Sequence, residues 1–175
     1  LWVANYEREL FALYRNRGAG LFHHSSQSMG IAALGAAYVG FGTVAGDIDL
    51  DGDEDLVVSN GHVQMLPVNS PVRQRPLLLS NESGKRLVSL TIGAGDYFET
   101  DHIGRGLATA DFDRDGDLDL VSTPTNEAAS VLENISPRSG HSLRLTLVAT
   151  ATGRDAIGAM AILRTAVGPR GRQVI

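Results

Sequence analysis

The 175-residue sequence has no cysteine, so no disulfide supports the chain and thiols carry no information on compartment. Aromatic residues make up only 6%, against 20 glycines, a balance that fits a β-rich, turn-rich chain. No apolar run is long enough to span a membrane, and no signal peptide is present. The sequence starts at Leu1 rather than Met, so the missing signal carries no weight. The arginines are scattered, with no basic helix and no patch interleaved with aromatics, which argues against a nucleic-acid surface. No G-x-S-x-G elbow, H-E-x-x-H pair or P-loop occurs. What remains is a chain with 43% hydrophobic residues, enough to bury a core and sized for one domain or part of one.

Against these absences stand two dense acidic stretches. Asp47-Ile48-Asp49-Leu50-Asp51-Gly52-Asp53-Glu54-Asp55 and Asp111-Phe112-Asp113-Arg114-Asp115-Gly116-Asp117-Leu118-Asp119 both read D-x-D-x-D-G-x-x-D, and each runs into an apolar, strand-like segment. So many neighbouring carboxylates repel one another unless a counter-ion is present, and a hard cation with oxygen ligands, Ca²⁺, suits them. Carboxylates at positions 1, 3 and 5 can point inward from a tight turn, with Gly at position 6 allowing the bend. Asp47, Asp49, Asp51 and Asp55 are then the side-chain ligands of the first loop, and Asp111, Asp113, Asp115 and Asp119 those of the second. Asp53 and Asp117 are expected to offer main-chain carbonyls, with water completing the shell. Zinc is disfavoured because neither His nor Cys joins the cluster. An EF-hand is excluded: its loop closes with Glu at position 12, which here is Val58 or Ser122, and the residues after each acidic stretch are β-like rather than helical. The competing explanation is a solvated acidic turn holding no ion.

The formal charge of −5 conceals this partition. Eleven of the 20 acidic residues lie in the two loops, leaving 9 against 14 of the 15 Lys and Arg. The rest of the chain is therefore about +5, and two bound Ca²⁺ would bring the whole to about −1.

The loops belong to a longer repeat. Leu1-Trp2-Val3-Ala4-Asn5 matches Leu56-Val57-Val58-Ser59-Asn60, and Leu120-Val121-Ser122-Thr123-Pro124 is a third copy. Leu13 to Phe22 has the form L-x-x-N-x-G-x-G-x-F, echoed by Leu78 to Gly84 and by Val131 to Asn134. Gly42 to Gly46 aligns with Gly106 to Ala110 ahead of each loop. The loops start 64 residues apart, a period that denotes an array of supersecondary units. Each unit reads as four short strands, the blade of a β-propeller. The residue before Leu1 is expected to be the last Asp of another such loop, making the chain a fragment. Residues 61–76, with Pro67, Pro71, Pro76, Arg73 and Arg75, and residues 93–104, with Asp96, Tyr97, Phe98, Asp101 and His102, are expected to be exposed rim loops. After a linker at Ser136–Gly140, Leu143 to Leu147 and Met160 to Leu163 are predicted strands, separated by a turn at Gly153–Ala159.

With Phe41-Gly42 ahead of the first loop, the repeats resemble FG-GAP repeats of the VCBS type, found in integrin-like propellers. The segment from His141 to about Arg164 resembles the start of an ASPIC/UnbV domain, through Gly-Arg-Asp-Ala-Ile-Gly-Ala at 153–159, where that family usually has Asn-Arg in place of Gly153-Arg154. Proteins of the cartilage acidic protein type and many large bacterial surface proteins pair these domains. The resemblance implies an all-β chain: a partial β-propeller of four-stranded blades at 1–135, then an incomplete β segment at 141–175. It also implies about two structural Ca²⁺ ions, a secreted or cell-surface location, and adhesion or protein interaction, with an unidentified protein or glycan partner met through exposed loops. A closed propeller needs about four to eight blades, so truncation is the departure from the family.

The alternative is a propeller-type hydrolase or lyase using His62, His102 with Asp101, or Ser25 beside His23 and His24. Five scattered histidines are more often surface or hydrogen-bonding groups, so the chain is expected not to be an enzyme. Asn16 and Asn81 are expected to be turn residues, Trp2, Phe22, Phe41 and Phe112 to be packing residues, and Arg154 and Asp155 to shape a turn.

Overall fold

A computed structural model of the chain describes residues 1–63, 67–150, 156–165 and 168–173. They divide into two compact units, Leu1–Ser142 and Leu143–Ile175. The described protein is mostly β, with twelve strands in four antiparallel sheets. Among the described residues, helix is confined to a 3-10 turn at Ile31–Leu34 and one short helix, α1, at Asp96–Glu99. No described helix is long and apolar enough to cross a membrane.

Three sheets make up the first unit. β1 (Trp2–Val3), β2 (Ala12–Asn16) and β3 (Phe22–His24) form the first. β4 (Gly40–Gly46), β5 (Asp55–Asn60), β6 (Leu77–Glu82) and β7 (Arg86–Ser89) form a four-stranded meander. β8 (Gly106–Ala110), β9 (Asp119–Thr123) and β10 (Ser130–Leu132) form the third. The expected four-stranded unit is thus realised in the middle sheet, while its neighbours have three strands each, and the described residues form no closed propeller.

The middle sheet is covered on both faces. Leu56, Val58, Leu77, Leu79 and Leu87 pack with Phe11, Met29 and Ile31, against Trp2 and Leu13 of the first sheet. Val57 turns the other way, into a second core with Ile48, Phe98 and Leu120, against Leu107 and Leu132 of the third sheet. Successive strand side chains alternate between faces, so burial of both faces produces an unbroken apolar run such as Leu56-Val57-Val58. The outer sheets have no such cover among the described residues. Phe22 and Phe112 are each 53% exposed, which corrects their assignment as packing residues. Phe112 takes the position equivalent to Ile48, but only Ile48 has a neighbouring described sheet to bury it. Trp2 packs edge-on against Phe11, and Phe41 lies beneath the Arg105 guanidinium at 4.1 Å.

The rim segments are more tightly held than exposed loops would be. His62, Ser70 and Gln74 are buried. Gln74 accepts the Val39 amide and donates to Ala37 O and Pro71 O, and Asn60 donates to Arg75 O. Proline removes a ladder donor, but nothing prevents the polar residues between prolines from bonding elsewhere. Val68 and Asn69 stay exposed, while Gln64, Met65 and Leu66 lie outside the described residues. In 93–104, Phe98 and His102 are buried. His102 Nδ1 meets Glu127 at 2.7 Å, its ring stacks on Tyr97, and Arg73 bonds the other Glu127 oxygen at 2.8 Å.

In the second unit β11 (Met160–Thr165) pairs with β12 (Gly168–Gln173), which places the predicted strand at 160–163. Residues 143–147 form no strand despite their alternation, and Leu143 and Leu145 are exposed. Alternation sets which face a side chain takes, but a strand also needs a partner for its backbone. Of the turn at 153–159, residues 153–155, with Arg154 and Asp155, lie outside the described residues.

Candidate metal centre

Each acidic stretch links the first two strands of its sheet. The closing pair is Gly46↔Asp55 in one and Ala110↔Asp119 in the other, so both loops connect their strands in the same register. The backbones match as well. Gly52 and Gly116 have φ of 94° and 102°, a left-handed bend in which a Cβ is costly. Leu50 and Arg114, two residues earlier, are left-handed too, at 58° and 66°, with no glycine to announce it.

This bend folds the chain over its own carboxylates. Asp49 Oδ1 accepts the Asp51 amide at 3.1 Å and Asp51 Oδ1 the Asp53 amide at 2.8 Å. Asp113 and Asp115 repeat the pattern at 3.0 and 3.2 Å. Asp47 Oδ2 accepts the Gly52 amide at 2.9 Å. One ligand atom from each of Asp47, Asp49 and Asp51 lies within 4.8 Å of the others, and Asp111, Asp113 and Asp115 do the same.

Asp55 and Asp119 stay outside these triads. Both are 2% exposed, and each carboxylate is held by two backbone amides. Asp55 takes Ile48 N at 2.9 Å and Asn81 N at 2.8 Å; Asp119 takes Phe112 N and Asn134 N, both at 2.8 Å. The last acid of each motif therefore ties the start of its loop to Asn81 in the third strand of one sheet and to Asn134, just past the third strand, in the other. The asparagines of the L-x-x-N element act at the same junction. Asn81 Oδ1 accepts the Gly84 amide and Asn134 Oδ1 the Ser136 amide, as Asn16 Oδ1 accepts that of Gly18, in keeping with turn residues. Asn81 also donates to Glu54 O, whereas Asn134 reaches Ile48 O in the first loop.

The first loop keeps buried carboxylates at an electrostatic cost. Asp47 is pushed above the ordinary carboxylate range by burial and by the charges of Asp51 and Asp49, against the pull of the Gly52 amide. Its Oδ1 is buried and accepts no hydrogen bond. An acidic oxygen in that state is costly unless something positive faces it. Burial pushes Asp55 to about 6 even though two amides favour its charged form. All triad donors are carboxylate oxygens, the donor type that calcium takes.

The second loop has a feature that no sequence pattern announces. Arg138, in the stretch expected to be a linker, bonds Asp115 through Nη2, the Asp115 carbonyl through Nη1 at 3.1 Å, and Asp117 Oδ2 through Nε at 3.2 Å. The Asp117 amide first, and then Arg138, hold Asp115 below its usual range. Asp117 is 2% exposed, and its burial and the Asp115 charge raise it against Arg138. Arg138 lies 21 residues from Asp117, and no local pattern signals so distant a contact.

The candidate catalytic residues do not assemble. His62 is buried beside Glu7 at 3.6 Å, Asp101 pairs with Arg75 rather than His102, and Ser25 donates to His23 O. Ser26, which no motif singles out, meets His24 Nε2 at 2.9 Å. Its oxygen also accepts the Leu13 amide, it is 4% exposed, and no carboxylate among the described residues bonds His24. A shallow cavity of about 380 Å³ beside it is lined by His23, His24, Gln27 and Ser28 and contains no acid. No model of a known protein family matches the sequence, and no curated protein matches it significantly.

Proposed function

We propose that this chain is a calcium-binding, non-catalytic repeat module of the FG-GAP type, part of a β-propeller, acting outside the cell in adhesion or protein interaction. The observation that carries it is the duplication of the acidic triad: two loops with one register, one backbone conformation and one arrangement of three carboxylates. A solvated acidic turn gives no reason for that geometry to occur twice. Asp47, Asp49 and Asp51 would hold one ion and Asp111, Asp113 and Asp115 the other, with loop carbonyls at Asp53 and Asp117 and water as further donors. Bound calcium would supply positive charge that neutralises the inward carboxylates. Asp55 and Asp119 serve a different purpose in this scheme: they fix each loop to its sheet so that the triad is held ready. The exposed parts of 61–76 and 93–104, with Arg73, Arg75, Asp96 and Asp101, are where a protein or glycan partner would be met. Sites of this kind suit the millimolar calcium of the exterior, where modules bind at about 10⁻⁴ to 10⁻³ M.

Calorimetric titration of calcium into chelator-stripped protein tests this. Two sites are expected, one lost in Asp49→Ala, the other in Asp113→Ala, and both in the double variant. A folded chain that takes up no calcium contradicts the proposal.

A further inference from the structure

Residues 134–142 run across both acidic loops and bind each differently. Asn134 donates its side-chain amide to Ile48 O at 2.7 Å, and Ser139 donates its backbone amide to Asp49 O at 2.8 Å, both in the first loop. Gly140 lies against the Leu50 carbonyl so closely that a Cβ there would collide with it, and Ser142 sits over Gly116 of the second loop. Between these points Arg138 brings its guanidinium onto Asp115 and Asp117. The first loop has no equivalent: among the described residues, no Lys or Arg pairs with Asp47, Asp49 or Asp51.

Asp115 belongs to the second triad, and both its oxygens are engaged. Oδ1 accepts the Asp117 amide and Oδ2 the guanidinium. Its counterpart Asp51 accepts the Asp53 amide and pairs with no cation among the described residues. An ion entering the second loop must therefore compete with a cation already placed there.

We propose that Arg138 is a built-in counter-cation of the second loop, which calcium must displace, so that the two loops are unequal sites and filling the second loosens the strap at 134–142. This rests on the calcium reading of the triads. The first loop is the tighter site, and the second fills later, at the expense of the Arg138 contacts. A partly exposed ion pair is a modest competitor, so the expected difference is a factor of about three to ten in affinity.

Calorimetric titration of the wild type and four variants tests this. In the wild type two unequal sites are expected, the weaker lost in Asp113→Ala. Arg138→Gln, which keeps hydrogen-bonding capacity but removes the charge, should tighten that weaker site about three- to tenfold and leave the other within about twofold. Arg138→Lys keeps the charge and should leave both near wild type. Both sites unmoved in Arg138→Gln, or tightening of the site that Asp49→Ala removes, overturns the proposal while leaving the calcium reading intact. No uptake by any folded protein overturns both. If Arg138→Gln fails to fold, a fluorophore on Pro137→Cys decides, the chain having no cysteine of its own. Its emission should change with filling of the second loop and stay constant when Asp113→Ala removes that site. Emission that is unresponsive to calcium in the otherwise wild-type chain overturns the proposal.

Discussion

The loops 47–55 and 111–119 share a template, a register and a backbone, yet they sit in different surroundings. Ile48 of the first is buried against the third sheet, while Phe112 of the second is half exposed. Among the described residues the first triad has no basic side chain paired with it, while the second has Arg138. A local motif thus sets the arrangement of carboxylates, and the neighbours set the cost of keeping them charged. Burial and mutual repulsion raise Asp47 in the first loop; in the second, burial and the Asp115 charge raise Asp117, while the Asp117 amide and Arg138 lower Asp115. Two copies of one sequence pattern need not have one affinity.

The largest effects should come from the acids that face the sheet rather than the triad. Asp55→Ala and Asp119→Ala each leave two backbone amides without their acceptor, and should cost about 2–5 kcal/mol in denaturant unfolding, with chelator present as well as without. Asp49→Ala should cost little in chelator, because in the proposed scheme its carboxylate serves the ion. If Asp55→Ala is as mild in chelator as Asp49→Ala, the division between fastening acids and ligand acids is wrong.

A smaller effect should separate the two asparagines. Asn81→Ala and Asn134→Ala each remove a side-chain bond to a loop carbonyl and an acceptor for a turn amide, at about 1–2 kcal/mol. Only Asn134 reaches the other loop. Its loss should therefore weaken calcium uptake at the first loop as well, which calorimetry on Asn134→Ala in the Asp113→Ala background would read directly.

The smallest effect lies away from both loops. Burial alone would raise Glu127, but His102, the Ile103 amide and Arg73 outweigh it and hold Glu127 below its usual 4.5. A carboxylate depressed in the folded state stabilises the fold above its unfolded value, and that contribution is lost as pH falls from about 4.5 through the lowered folded value. Glu127→Gln should accordingly lose less stability than the wild type over that interval, by about 1 kcal/mol or less. Equal losses in both proteins would show that the pair with His102 carries no stabilisation.

What the sequence disclosed was local. The D-x-D-x-D-G-x-x-D spacing, the left-handed glycine and the apolar run after it act within one loop and strand, and the folded chain places them together. The turn asparagines were legible for the same reason, since Asn bonds the backbone within a few residues of itself. What could not be read depends on distant partners. Arg138 is 23 residues from Asp115, and His102 is 25 from Glu127. The prolines of 61–76 indicated an interrupted ladder, but not that Gln74 would be buried against Ala37 and Val39. The amide contacts of Asp55 and Asp119 were illegible for a subtler reason. Motif spacing puts an acid there, but which groups its carboxylate meets depends on where the third strand passes.

Whether the duplicated triads are ion sites is decided by a crystal structure grown in millimolar calcium, with anomalous scattering used to find the ions. Two peaks are expected, one enclosed by Asp47, Asp49 and Asp51 and one by Asp111, Asp113 and Asp115, with Asp55 and Asp119 still bound to their amides. Well-ordered loops holding only water at saturating calcium would contradict it.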